Sequence, residues 1–510
     1  ELEPTLIFTT EFAVSDLVAR IDEAGAGAGL RPIEFTETRE GPVSFGQQRM
    51  WFLEQFEGDA GVYTIPVVLR LEGELDVPAL QWALARLARL QPSLRTRFEQ
   101  RGDELMQVIE SSGPVLEMRD ATDREACRSE ISRLAGQRLD LESGPPWRAL
   151  LFDIGPGEQV LFLHFHHAII DGLSLPLLFD ALSDAYTAAV EGRAPDLEQD
   201  PEQNPEQDAG QSGVRYLDFA LWQRRLLDGG TWSDQLAFWQ EQLNGSLPVL
   251  ELPTDRPRPA RQTFRGGTCR ITLPRDLVRR LESGARSRKG TLFNALLAGF
   301  YALLQRYSGQ EDLIVGTPVS TRARPELESV VGLFINTLAL RQRLDPDMSL
   351  DALFAGTRDL CAKAFANQDL PFERIVSELT VDRDLSRTPV FQAQIAFRDA
   401  EKDRVTLPGL RGVLEPVDRC VAPTDLALWI ERSDGALEIE AEYPVALFDA
   451  ATIKRLLVHY RRCLKQLATD PARKLRDLQW LDPAERQRLI EDWNATDRPQ
   501  PESSVLEAIA

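Results

Sequence analysis

Residues 159–172, Gln159-Val-Leu-Phe-Leu-His-Phe-His-His-Ala-Ile-Ile-Asp-Gly172, pass from an unbroken apolar run into a polar turn within a few positions. The run is short and rich in Leu, Val and Phe, and it does not alternate. That pattern predicts a strand buried on both faces. Downstream, residues 174–190 carry Leu177, Leu178, Leu182 and Tyr186 at helical spacing. A strand, a polar turn and a helix in that order place the turn at a strand end, where side chains face a cleft and the strand holds them still. The chain has four histidines, and three of them, His164, His166 and His167, fall in this one turn. Histidine moves protons near neutrality, and an acid such as Asp171 can fix its tautomer or shape the loop around it. Two plainer readings stand beside that one. The rings can be satisfied by backbone inside a core, or His164 and His166, on one strand face, can chelate zinc with carboxylates completing the set.

The rest of the chain alternates helix and strand. Residues 78–90 place Leu80, Leu84 and Leu87 on one helical face, with Pro78 at the start, where a missing N–H does no harm. Residues 292–307 form a strongly apolar helix, and residues 313–316 a following strand. A chain of 510 residues exceeds one ordinary core, so a mixed α/β protein with two comparable lobes is expected. Residues 1–25 read as a single amphipathic helix at their end (Val14, Leu17, Val18, Ile21), the trimmed end of a neighbouring domain, and 26–39 as a linker. Residues 40–215 are assigned to the first lobe and 216–475 to the second. The stretch 196–213 is acidic, with Gln and Pro and almost nothing apolar, and is expected to be a flexible loop; 476–510 are a linker.

Composition excludes several classes. A net charge of −22 argues against nucleic acid, whose phosphates call for a basic surface. No apolar run approaches the length of a membrane span. Five cysteines, Cys127, Cys269, Cys361, Cys420 and Cys463, share no metal-like spacing, so buried free thiols in a reducing cytoplasm are expected, with no bound metal.

His166-His167-Ala-Ile-Ile-Asp171-Gly172 resembles the core motif of condensation domains from nonribosomal peptide synthetases, members of the chloramphenicol acetyltransferase-like superfamily. Further motifs resemble that family in the same order: Ser44-Phe-Gly-Gln-Gln-Arg-Met-Trp51, Leu94-Arg95-Thr-Arg-Phe98, Tyr216-Leu-Asp-Phe-Ala-Leu-Trp222, Val331-Gly-Leu-Phe-Ile-Asn336-Thr337 with Arg341, Asn367-Gln-Asp-Leu-Pro-Phe-Glu373, and Arg383 to Phe391. The chain departs from the family pattern at Leu90-Gln91 (usually His-Glu), at Leu173 (often Trp) and at Asn367 (commonly His).

The resemblance implies two acetyltransferase-like lobes forming a V-shaped pseudo-dimer around a central tunnel. It also implies amide formation between a donor acyl thioester and an acceptor aminoacyl thioester. Both arrive on the 4′-phosphopantetheine of partner carrier domains, and the domain itself binds no cofactor. His167 takes the central role, as general base or by orienting the amine, with His166 more structural. Asp171 is expected to turn into a salt bridge with Arg322 or Arg95, and Gly172 to permit its tight turn. Asn336, Ser174 and Trp222 are candidate substrate contacts. Residues 1–25 resemble the end of a carrier domain, and Leu489-Ile-Glu-Asp-Trp-Asn-Ala-Thr496 the join to an adenylation domain, so upstream and downstream carriers and that adenylation domain are the expected partners of a monomeric unit. Epimerisation, a modified condensation and a non-catalytic docking platform remain as alternatives.

Overall fold

The computed structural model describes residues 32–496, apart from 58–60, 194–212, 323, 380–383, 400–404, 406 and 418. The readings of 1–25, 497–510 and nearly all of the acidic stretch lie outside the described residues.

The first half runs β1 (Glu40–Pro42), α1 (Phe45–Glu57), β2 (Thr64–Gly73), α2 (Val77–Leu90), β3 (Thr96–Arg101), β4 (Glu104–Ile109), β5 (Leu116–Asp120), α3 (Arg124–Ala135), β6 (Trp147–Gly155), β7 (Glu158–His166) and α4 (Leu175–Val190). The strand expected at 159–165 is β7, and it lies inside a five-stranded sheet between β2 and β6. Leu161, Leu163 and Phe165 join the core that includes α2 and α4, while Val160 and Phe162 join the one that includes α3. Covering both faces is what removes the alternation from the sequence. Asp76 caps α2 by accepting from the Ala79 N–H at 2.9 Å.

The second half comprises α5 (Tyr216–Asp228), α6 (Ser233–Gln242), β8 (Gly266–Leu273), α7 (Arg275–Ser287), α8 (Leu292–Ser308), β9 (Asp312–Ser320), β10 (Ile335–Arg343), α9 (Leu350–Ala366), α10 (Phe372–Glu378), β11 (Ala393–Asp399), β12 (Leu410–Glu415), β13 (Leu426–Ser433), β14 (Ala436–Pro444), α11 (Ala450–Thr469) and α12 (Pro483–Gln487). Its six-stranded sheet has the order β10-β9-β11-β13-β14-β8. Helix α8 is buried from Asn294 through Gln305, which accounts for its apolar composition on every side. Thr291 and Asn294 form a capping box at its start, and Gly309 ends it at φ 70°, a left-handed turn that costs glycine least. Each Leu or Phe fully buried here stabilises the fold by about 1.5–3 kcal/mol.

Two large cores result, but the chain crosses between them. Strand β12 leaves the second half to pair antiparallel with β2, and Leu327, Val331 and Phe334 also pack in the first core. These crossings bring motifs of the second half against the end of β7. Cys127, Cys269, Cys361 and Cys463 are buried free thiols; Cys420, expected to be buried, is exposed, because it sits in the segment between β12 and β13 that joins the two sheets.

Candidate active site

The site grows from the end of β7. His166 is its last residue and is fully buried. The ring Nδ1 accepts the Ala168 N–H at 3.0 Å, so the hydrogen sits on Nε2 and points to Glu54 at 3.3 Å. Glu54 also pairs with Arg138 at 2.9 Å. Both nitrogens of His166 are therefore occupied by the fold. The sequence reading did not single out Glu54. Its signal was a carboxylate on the helical stripe Gln47, Met50, Glu54, which is otherwise buried against the first core.

His167 lies in the turn and is only partly buried. Its peptide N–H donates to the Tyr63 carbonyl at 2.7 Å. Its Nδ1 is buried without a hydrogen-bond partner. The accessible part of the ring is thus the opposite edge. Burial pushes the imidazole down to about 4; Arg419 and His166 press the same way, while Asp171 opposes them. At neutral pH the ring is uncharged.

Asp171 faces away from that edge. Its carboxylate accepts from the Ser174 N–H and Oγ–H, both at 2.8 Å, and from the Phe334 N–H at 2.9 Å. Its ion pair is with Arg322, at 3.3 Å. Arg95, the other expected partner, is turned elsewhere. It donates to the carbonyls of Ala88 (2.9 Å) and Arg89 (3.4 Å), capping the C-terminus of α2, and to that of Glu110 (2.6 Å). The Arg322 guanidinium lies over the Phe334 ring at 4.1 Å and donates to the Leu327 carbonyl at 2.9 Å. Ser174, read as a substrate contact, is fully buried and spends its hydroxyl on Asp171, Arg322 and Gly332.

Gly172 corrects a second expectation. Its φ is not in the left-handed region, so the turn does not require glycine. A Cβ there would meet nothing within 4 Å. Glycine instead leaves open space beside the His167 turn.

Asn336 and Trp222 lie apart from the histidines. Asn336 donates to the carbonyls of Gln368 and Leu370, each at 2.8 Å, and accepts from the Phe372 N–H at 3.0 Å. Its amide ties the loop before α10 to β10. Trp222 packs between the two cores, near Phe219 (6.0 Å) and Trp232 (6.4 Å).

The scattered motifs meet around this turn. Ser44 and Gln47 cap α1 reciprocally, at 3.0 and 3.1 Å, and Gln47 Nε2 donates to the Ala168 carbonyl at 3.2 Å. The Tyr216 hydroxyl donates to the Leu333 carbonyl at 2.8 Å and lies 2.7 Å from Ser44 Oγ. His164 is buried with both ring nitrogens unpartnered, and burial, with Arg148 and Arg419 nearby, pushes it down to about 3. Among the described residues no group of three or more His, Cys, Asp or Glu is placed to hold a metal ion, and no helix is long and apolar enough to cross a membrane.

Known proteins resemble this chain in sequence and in fold. A family model described as Condensation domain matches residues 37–490. The chain is 36% identical to a linear gramicidin synthase protein of Brevibacillus parabrevis, over 98% of this chain and 6% of that protein. It is 37% identical to the phosphinothricin tripeptide synthetase PhsC of Streptomyces viridochromogenes, over 85% of this chain and 40% of that protein. The chain therefore spans a minor part of these relatives. Among solved structures, the X-domain from teicoplanin biosynthesis in complex with OxyB superposes at a TM-score of 0.80, with 30% identity over 89% of this chain and 99% of that one. The first condensation domain of the CDA synthetase shares the fold, at a TM-score of 0.65 and 20% identity over 87% of this chain and 99% of that one. A mixed α/β fold whose separated motifs close on one histidine turn, matched over most of its length, places the chain in the condensation-domain family of nonribosomal peptide synthetases.

Proposed function

We propose that the chain forms an amide between a donor acyl or peptidyl thioester and the amine of an acceptor aminoacyl thioester. Both would be presented on 4′-phosphopantetheine by an upstream and a downstream carrier domain, in a synthetase that also carries an adenylation domain. The reactants would meet in a tunnel between two lobes. The observation that carries this reading is the contrast at the turn. His166, Asp171 and Ser174 have their polar atoms engaged by the fold, while His167 keeps a ring edge accessible beside the open space at Gly172.

The amine nitrogen attacks the thioester carbonyl, the new C–N bond forms, the C–S bond breaks, and the sulfur leaves as thiolate. One proton leaves the nitrogen. A free α-amine keeps a neutral fraction of about a tenth near pH 7, because its ordinary value is about 8. An imidazole held near 4 is a poor resting place for that proton. In the tautomer with its hydrogen on Nδ1, the neutral ring accepts a hydrogen bond at its accessible nitrogen. His167 is thus best read as orienting the neutral amine and passing its proton on to the departing thiolate. Alignment of two tethered reactants supplies the larger share of the rate.

The test loads upstream and downstream carriers with their thioesters and follows both by intact mass spectrometry. Transfer of the donor mass to the acceptor carrier is expected. Unchanged carrier masses would overturn the reading. The likeness to the X-domain solved with OxyB favours a second one, a non-catalytic platform for a tailoring enzyme. That reading predicts unchanged carriers together with a stable complex with such an enzyme.

A further inference from the structure

Segment 419–422, between β12 and β13, is stitched to the residues that lead into β8. The Gly266 N–H donates to the Cys420 carbonyl at 2.7 Å, and the Ala422 N–H to the Phe264 carbonyl at 2.9 Å. The two backbones are so close that a Cβ on Gly266 would lie 2.4 Å from the Val421 carbonyl. From this segment Arg419 reaches into the other half of the protein and donates from Nη2 to the Val62 carbonyl at 2.6 Å. The next carbonyl along, that of Tyr63, takes the His167 N–H at 2.7 Å. Adjacent peptide units of one turn therefore receive the guanidinium and the main chain of His167.

The guanidinium is costly where it stands. Its Nε is buried with no hydrogen-bond partner, and burial disfavours its charge. The acids that face it are Glu442 and Glu440 on β14. Glu440 is occupied by Arg270 at the exposed end of the sheet. Glu442 is buried, at 8% exposure, opposite Thr268 in the ladder. Burial, with Glu440 beside it, pushes its carboxyl up to about 7 against the pull of Arg419. On the other side, the charged or titratable groups acting on the His167 ring are Asp171, Arg419 and His166.

We infer that Arg419 is a positioning residue for His167, fastening the turn that holds it from the second half of the chain. The inference rests on the reading of His167 as the group at the reacting amine. Its consequence is that the histidine is set by both halves. The first supplies β7 and the turn; the second supplies the hydrogen bond that holds the neighbouring peptide.

The test measures two things on Arg419→Ala, Arg419→Lys and Arg419→Gln: amide formation between loaded carriers, and the titration midpoint of His167 by NMR of histidine-labelled protein. For Arg419→Ala, kcat is expected to fall about tenfold to a hundredfold with the acceptor KM within about twofold, as for a misplaced group that still binds substrate. The His167 midpoint should rise slightly, because burial, the larger cause of its low value, remains. Lys should restore the low midpoint and much of the rate. Should Ala not fold, Gln, which removes the charge but keeps a polar side chain, carries the midpoint test. A kcat within about twofold of the parent, or an unmoved His167 midpoint, in a folded uncharged variant overturns the inference. If the parent chain itself joins no acyl groups, the functional reading fails, while the His167 midpoint still decides the role of Arg419.

Discussion

Two buried histidines of this protein each face a carboxylate, and they are built alike. At the end of β7, His166 accepts from a backbone N–H and donates to Glu54. In α11, His459 takes the Tyr307 hydroxyl at 2.7 Å on Nδ1 and faces Glu485 at 2.7 Å through Nε2, with Trp480 edge-on at 5.0 Å. The second knot fastens the chain after α11 to the lobe. Around it, Arg462 pairs with Asp482, and Gln466 exchanges two hydrogen bonds with the Gln479 backbone, both at 2.9 Å. Neither ring has a nitrogen left for a substrate. What separates the regions is the next residue: beside His166 stands a second histidine with an accessible edge, and nothing of that kind adjoins His459. A histidine–carboxylate pair is thus a fastener in both places, and the chemistry proposed at β7 falls to the ring that the fastener leaves over.

The strongest way to break this comparison is His167→Ala. Amide formation should fall by about 10²–10⁴-fold while the melting temperature holds, as measured with loaded carriers and by thermal denaturation. An equal loss from His459→Ala would erase the distinction. Asp171→Ala comes next. It leaves Arg322 buried without its carboxylate, which should cost about 3–5 kcal/mol of stability in denaturant unfolding, along with activity. His459→Ala should cost about 1–3 kcal/mol and raise proteolysis after residue 477, with amide formation unchanged.

Acidity separates the regions more gently. The folded values of His167 (about 4) and His164 (about 3) lie below the ordinary 6.5, so protonation favours the unfolded chain. Their contribution to stability is complete above about 6.5 and is lost as pH falls towards 4 and then 3. His164→Leu should flatten that decline in unfolding experiments across the acid range and change neutral stability by about 1 kcal/mol or less. The smallest effect is expected from Gly172→Ala. The space is open and the backbone unstrained, so the fold should be unchanged, while kcat/KM drops only a fewfold through crowding at the His167 edge.

Much of this was legible in the residues. The unalternating run before His166 predicted a strand covered on both faces, and 78–90, 174–190 and 292–307 predicted α2, α4 and α8 nearly to their ends. Each signal is local, set by spacing and by capping residues such as Asp76 and Thr291. The strand at 313–316 was read too short, because β9 continues to Ser320 through Pro318, a residue that argues against strand when seen alone.

The heptad from His166 to Gly172 was determined by the sequence itself, as were the strand that carries it and the family it belongs to. The division of labour within it was decided only by the tertiary structure. Whether a histidine is a fastener or an accessible ring depends on what occupies its nitrogens, and those partners come from far along the chain. Glu54 lies 112 residues from His166, Arg322 lies 151 from Asp171, and Arg419 lies 357 from the Val62 carbonyl it holds. No local pattern links such pairs. The last two pairs meet because β12 and the 327–334 segment cross into the first core, and that crossing buries the polar atoms whose pairing assigns each role.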